Sequence, residues 1–198
     1  MGLLAKLFGK RAKTQDTPSV AVSASSPENS LDANSLDAKE WVSRGNALVE
    51  QGRLEDAITA FRSATACDPE NAIAWAALAA LFSKLGKLDD GIAAYRKAIE
   101  VAPTWVQLWG GLGAALSQHG DAYEAIHAFR RLTETQPGDA QAWKSLAELL
   151  LKVGNVREAI SVLTEASIMR CPDDKELRAL LHRAHDRQLE DMIKGGAG

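Results

Sequence analysis

The residues of this chain that could do chemistry are few, and none has the neighbours that catalysis needs. His182 and His185 stand three apart on one predicted helix face, the spacing of a two-histidine metal pair, yet no third ligand accompanies them. Gly111-Leu112-Gly113 could open a phosphate-binding turn, but it falls inside a predicted helix and follows no strand, so the required context is absent. The sequence has no P-loop and no nucleophile paired with a base. Cys67 and Cys171 are far apart and are expected to stay free thiols, as in a reducing compartment. What remains is non-covalent: Arg62, Arg96 and Arg130 recur at an interval of 34 residues and form a basic ridge that water or an acidic partner could meet. The expectation is a protein that is not an enzyme and takes no metal or cofactor.

The interval of 34 is the key to the elements that carry these residues. Trp41, Trp75, Trp109 and Trp143 keep it, and so do Gly52, Gly86, Gly120 and Gly154. An acid–small–Ile triplet repeats in step: Asp56-Ala57-Ile58, Asp90-Gly91-Ile92, Glu124-Ala125-Ile126 and Glu158-Ala159-Ile160. Phe61, Tyr95 and Phe129 follow the same beat, as do Pro69, Pro103 and Pro137. A fixed period of this length signals stacked units, none of which can bury its own apolar face. In the second unit Trp75, Leu78, Phe82 and Leu85 make one helical stripe, and Gly86 ends it. A second helix starts near Leu88 with Asp89 and Asp90 in its first turn, turns Ile92, Tyr95 and Ile99 inward, and stops at Pro103.

Of the 198 residues 25% are charged and 46% hydrophobic, as in ordinary folded proteins, so the array accounts for the composition without a second domain type. A net charge of −3 and a pI near 5.8 argue against nucleic acid as a partner, which needs clustered cations. Residues 1–13 differ from the rest. Leu3, Leu4, Leu7 and Phe8 share a helical face with Lys6 and Lys10 beside it, a pattern that fits either reversible contact with a membrane surface or a docking peptide for another protein. Residues 14–37 read as a disordered linker. Asp173, three before Glu176, is the expected cap of a last helix, 174–194, whose Leu177, Leu180, Leu181, Ala184, Leu189, Met192 and Ile193 should face inward and close the array. Residues 195–198 are a flexible tail.

Trp–x2–Leu–Gly/Ala, a glycine, Ala, an aromatic, Ala and Pro at this period resemble the tetratricopeptide repeat (TPR) family. Trp75, Leu78, Ala79, Gly91, Tyr95, Ala98 and Pro103 carry the pattern in one unit, and Trp109, Leu112, Gly113, Ala125, Phe129 and Pro137 in the next. Arg44, Leu132 and Leu163 depart from it, and the fourth proline slips by one to Pro172. The resemblance implies an all-α fold: a right-handed α-solenoid of four helix-turn-helix units (38–71, 72–105, 106–139 and 140–173) plus the C-terminal capping helix. In each unit the tryptophan is expected to wedge the two helices together.

It also implies where a partner would sit. In this family the first helices line a concave groove that holds a peptide or helix, and the corresponding positions here include Asn46, Ala76, Ala80, Ser83, Gln107, Gly110, Ala114, Ser117, Lys144 and Glu148. The family's two-carboxylate clamp for chaperone tails is matched only by Asn46, which speaks against that client. Small residues in mid-groove (Ala76, Ala77, Ala80, Gly110, Gly111 and Ala114) leave room for an amphipathic helix, and glycines inside one helix could soften it. The reading is a cytoplasmic, non-enzymatic adaptor for a partner protein, set at a membrane surface by residues 1–13. The alternative is a self-assembling scaffold, a homo-oligomer joined through its repeats or its N-terminal arm.

Overall fold

The computed structural model describes residues 36–195, and among these all the regular structure is helical. First helices α1 (Ala38–Glu50), α3 (Ala72–Lys84), α5 (Gln107–His119) and α7 (Ala140–Lys152) alternate with second helices α2 (Leu54–Cys67), α4 (Leu88–Val101), α6 (Ala122–Thr135) and α8 (Val156–Glu165). A π-helical segment, Ala166–Arg170, extends α8, and α9 (Lys175–Gly195) follows. The protein is an α-solenoid.

Local chemistry sets the hairpins. Asp37 caps α1 through a reciprocal box: its carboxylate accepts from the Glu40 amide at 2.8 Å and its own amide donates to Glu40 Oε2 at 2.9 Å. Gly86 has φ +75°, and the next amide, of Lys87, donates back to the Phe82 carbonyl at 2.9 Å, which satisfies the end of α3 in a Schellman turn. The small member of each acid–small–Ile triplet marks the closest approach of the two helices. A Cβ on Gly91 would lie 2.7 Å from Ser83 Oγ and 3.3 Å from the Ala79 carbonyl, and its counterparts Ala57, Ala125 and Ala159 are fully buried.

Each first helix from α3 to α7 packs on its own second helix and on the second helix of the preceding unit, and α3 also touches α5, as α7 touches α9. The aromatics Phe61, Tyr95 and Phe129 are buried in these seams. The glycines of α5 are demanded by those seams: a Cβ on Gly111 would meet the Tyr95 ring at 2.5 Å, and one on Gly113 the Phe129 ring at 2.9 Å. The expected softness of α5 therefore gives way to tight packing. Trp41 and Trp143 are buried, whereas Trp75 and Trp109 are half-buried. Trp75 and Trp143 also tether the preceding turn, their indole N–H groups donating to the carbonyls of Pro69 (2.9 Å) and Pro137 (2.8 Å).

The C-terminal end corrects two expectations. The π-helical segment absorbs one inserted residue, which is why the proline stands at 172, and it moves α9 one position along. The cap is accordingly Asp174, not Asp173: Asp174 Oδ1 accepts from the amides of Glu176 (2.9 Å) and Leu177 (3.0 Å), as Asp139 does from Gln141 and Ala142. The apolar face of α9 is also divided. Leu177, Leu180 and Ala184 are buried and Leu181 half-buried, but Leu189, Met192 and Ile193 are exposed.

Backbone bonds from Leu177, with Lys144 beside them, hold the Asp174 carboxyl below its ordinary value. A depressed carboxyl stabilises the fold above its unfolded pKa and loses that contribution as pH falls below about 4. Asp174→Ala should therefore cost about 1 kcal/mol at neutral pH, a typical cap contribution, and should flatten the acid limb of thermal stability measured by circular dichroism.

Candidate functional site

The two sides of the solenoid use their polar residues differently. On the second helices several charges are paired between units and others, such as Lys97 with Glu100, within one helix. Arg96 pairs with Glu124 at 2.5 Å, Arg130 pairs with Glu158, and Lys87 of the α3–α4 turn pairs with Glu55 at 3.2 Å. The acids of the repeated triplet thus meet the recurrent arginines of the unit before. Arg62 instead lies over the Phe82 ring, 5.4 Å from its centroid. Such exposed pairs add roughly 0–1 kcal/mol each, so they set register more than stability. His119 bridges Asp121 (2.8 Å) and Asp89 (3.1 Å), and the Asp121 hydrogen bond in particular raises its pKa above the ordinary value.

The first helices carry the residues singled out for binding. Ala114, Gln107 and Glu148 are exposed; Asn46, Ser83, Gly110 and Ser117 are half-buried. Ala76 and Ala80 are buried at 1% and 8% exposure and offer little surface. Ser83 Oγ donates to the carbonyl of Ala79 within its own helix. Among the described residues the side chains of Asn46, Gln107, Ser117 and Glu148 take no hydrogen-bond partner. Lys144 is different. Its ammonium group donates to Glu176 at 2.7 Å, lies 3.7 Å from Asp174, and has its pKa raised above the ordinary lysine value first by the Glu176 bond. It ties α7 to α9, and of the two positions singled out in the fourth unit Glu148 is the exposed one.

Among the described residues no group of three or more His, Cys, Asp or Glu could hold a metal, and no helix is long and apolar enough to cross a membrane. Cys67 and Cys171 are free thiols, and burial pushes the Cys171 thiol upward. Leu3, Leu4, Lys6, Leu7, Phe8 and Lys10 lie outside the described residues.

Models described as Tetratricopeptide repeat match residues 42–104 and 116–184, together about two thirds of the chain. Solved structures share the fold. MamA 41-end from Desulfovibrio magneticus RS-1 superposes with a TM-score of 0.68 at 16% identity, covering 81% of this chain and 89% of that one. YrrB, described as a TPR protein with an unusual peptide-binding site, gives 0.67 at 18% identity, covering 77% and 78%. A further MamA structure gives 0.65 at 21% identity, covering 69% and 75%. No curated protein matches the chain.

Proposed function

The chain belongs to the tetratricopeptide repeat family and is a protein-interaction scaffold; from that premise we propose that it is an adaptor whose row of first helices holds a peptide or amphipathic helix of a partner protein. The supporting observation is the contrast between the two sides. Arg96 and Arg130 of the second helices are paired with triplet acids of the next unit, whereas Asn46, Gln107, Ser117 and Glu148 keep accessible polar groups that take no partner among the described residues. Around the exposed Ala114 these groups frame a surface with little side-chain bulk, on which an apolar helix face can rest while its rim hydrogen-bonds. No covalent chemistry is required of the site.

The similarity to YrrB, a peptide-binding TPR protein by its description, is in keeping with this reading. Ala114→Arg with Ser117→Arg places two long cations on that surface at positions where the fold has room. The double variant should keep wild-type helicity and lose partners captured by cross-linking from native extract; retention of the same partners would overturn the assignment.

Residues 1–13 are assigned the task of setting the adaptor at a membrane surface in the cytoplasm, on the strength of Leu3, Leu4, Leu7 and Phe8 beside Lys6 and Lys10. Two apolar turns give weak, salt-sensitive binding. The full chain should sediment with anionic phospholipid vesicles at low salt and remain in solution once residues 1–13 are removed. Equal sedimentation of both would end this part of the reading.

A further inference from the structure

The one-residue shift at the π-helical segment reveals what α9 is. Counting 35 residues from α7, as the two capping aspartates do, Leu177 and Ala184 fall on Ala142 and Leu149, which face the preceding unit and are buried in both helices. Arg178, Leu181, His182 and His185 fall on Trp143, Leu146, Ala147 and Leu150, whose third-unit equivalents Trp109, Leu112 and Leu116 line a cleft between the preceding second helix (Arg96, Ile99) and their own (Glu124, His127, Ala128). Gly113, one unit before Ala147, lies under Phe129 of α6. The matched family model, too, runs on through residue 184, so α9 is the first helix of a fifth unit. Among the described residues no second helix covers it. The seat is a cleft of about 550 Å³ lined by Ile168, Pro172, Arg178, Leu181, His182 and His185.

The same helix carries what such a seat receives. Leu189-Glu190-Asp191-Met192-Ile193 repeats, but for one residue, Leu54-Glu55-Asp56-Ala57-Ile58 at the start of α2, where Ala57 and Ile58 are buried against a first helix. At the position of the turn glycine stands Leu189, so α9 runs straight on for 21 residues and this second-helix face ends up in solvent. Leu189, Met192 and Ile193 are 54%, 57% and 74% exposed, and Ile168, in the lining of the seat, is 66% exposed. A monomer rarely leaves such a patch bare. Charge agrees. Arg178 donates to the Pro172 carbonyl and meets no carboxylate among the described residues, whereas the C-terminal half of α9 offers Glu190 and Asp191. Inside the solenoid the triplet acids pair with arginines of a neighbouring unit in the same way.

We propose that two copies of this chain pair through α9, antiparallel, each laying its Leu189–Ile193 face into the other's open fifth-unit seat, with Asp191 of one copy against Arg178 of the other. The contact is reciprocal, as a twofold interface requires, and is independent of the inner row of first helices. Light scattering of the full chain through a dilution series tests it. The expected mass is twice 21.2 kDa at high concentration, falling to 21.2 kDa on dilution. Leu189→Arg with Ile193→Arg alters two exposed residues, so helicity should hold while the dimer is lost at every concentration. Ala114→Arg with Ser117→Arg, and removal of residues 1–13, should leave the dimer intact. A wild type that stays at the single-chain mass throughout overturns the proposal, as does a dimer that survives the α9 variant or depends on the inner row or on residues 1–13.

Discussion

Trp143→Ala is expected to lower the unfolding free energy by about 3–5 kcal/mol, the cost of truncating a large buried aromatic. Trp143 is 5% exposed and packs with Ala147, Leu163, Leu177 and Leu180 in the cluster that joins the fourth unit to α9. Its indole also satisfies the Pro137 carbonyl, which the variant leaves to water. Trp75→Ala is the control: it removes the same chemistry and the same bond to a proline carbonyl, from a site that is only half-buried. Urea denaturation should show the smaller loss there. Equal losses at both positions would mean that burial of the tryptophan does not govern its contribution.

Gly111→Ala should destabilise the protein although alanine is the better helix former. Propensity alone favours the change by about 1 kcal/mol. Against it, the new Cβ would stand 2.5 Å from the Tyr95 ring, and Tyr95 is only 1% exposed, enclosed so fully that burial drives its phenol pKa well above the ordinary value. Overpacking of this kind costs about 1–3 kcal/mol, so the balance falls on the unfavourable side. Gly138→Ala meets nothing within 4 Å and should be close to neutral. Thermal unfolding of the two variants side by side decides the matter. Stabilisation by Gly111→Ala would show that the α4–α5 seam is loose and that the glycine merely weakens a helix.

The solenoid was legible because its determinants are local and repeated: a turn glycine, a small residue where helices touch, an aromatic in the seam. Each recurs at 34 residues, the first two in all four units and the aromatic in three, so chance at one position is outvoted by the others. Charge pairing was less legible. Arg96 and Glu124 are 28 residues apart and belong to two different repeated patterns, and only stacking shows that one serves the other. The start of α9 was less legible, because one inserted residue near Cys171 changes the interval to 35 and moves the cap from Asp173 to Asp174. The first half of its apolar face is buried as the period implies, whereas Leu189, Met192 and Ile193 carry the same period on into solvent. The slipped proline was the available signal, together with the return of Leu-Glu-Asp at 189–191. As for the inner row, Ala76 and Ala80 look like open space in a sequence because alanine is small. In the folded chain both are buried, and the accessible surface lies instead at Ala114, Gln107 and Glu148.

Partner binding is assigned to the row of first helices. The most direct measurement places a photo-crosslinking residue at Ala114 in one sample and at Ala93, exposed on second helix α4, in another, and compares the adducts formed in native extract. The expected result is a distinct partner adduct from position 114 and none of that mass from position 93. The same adduct from position 93, or from that position alone, would contradict it.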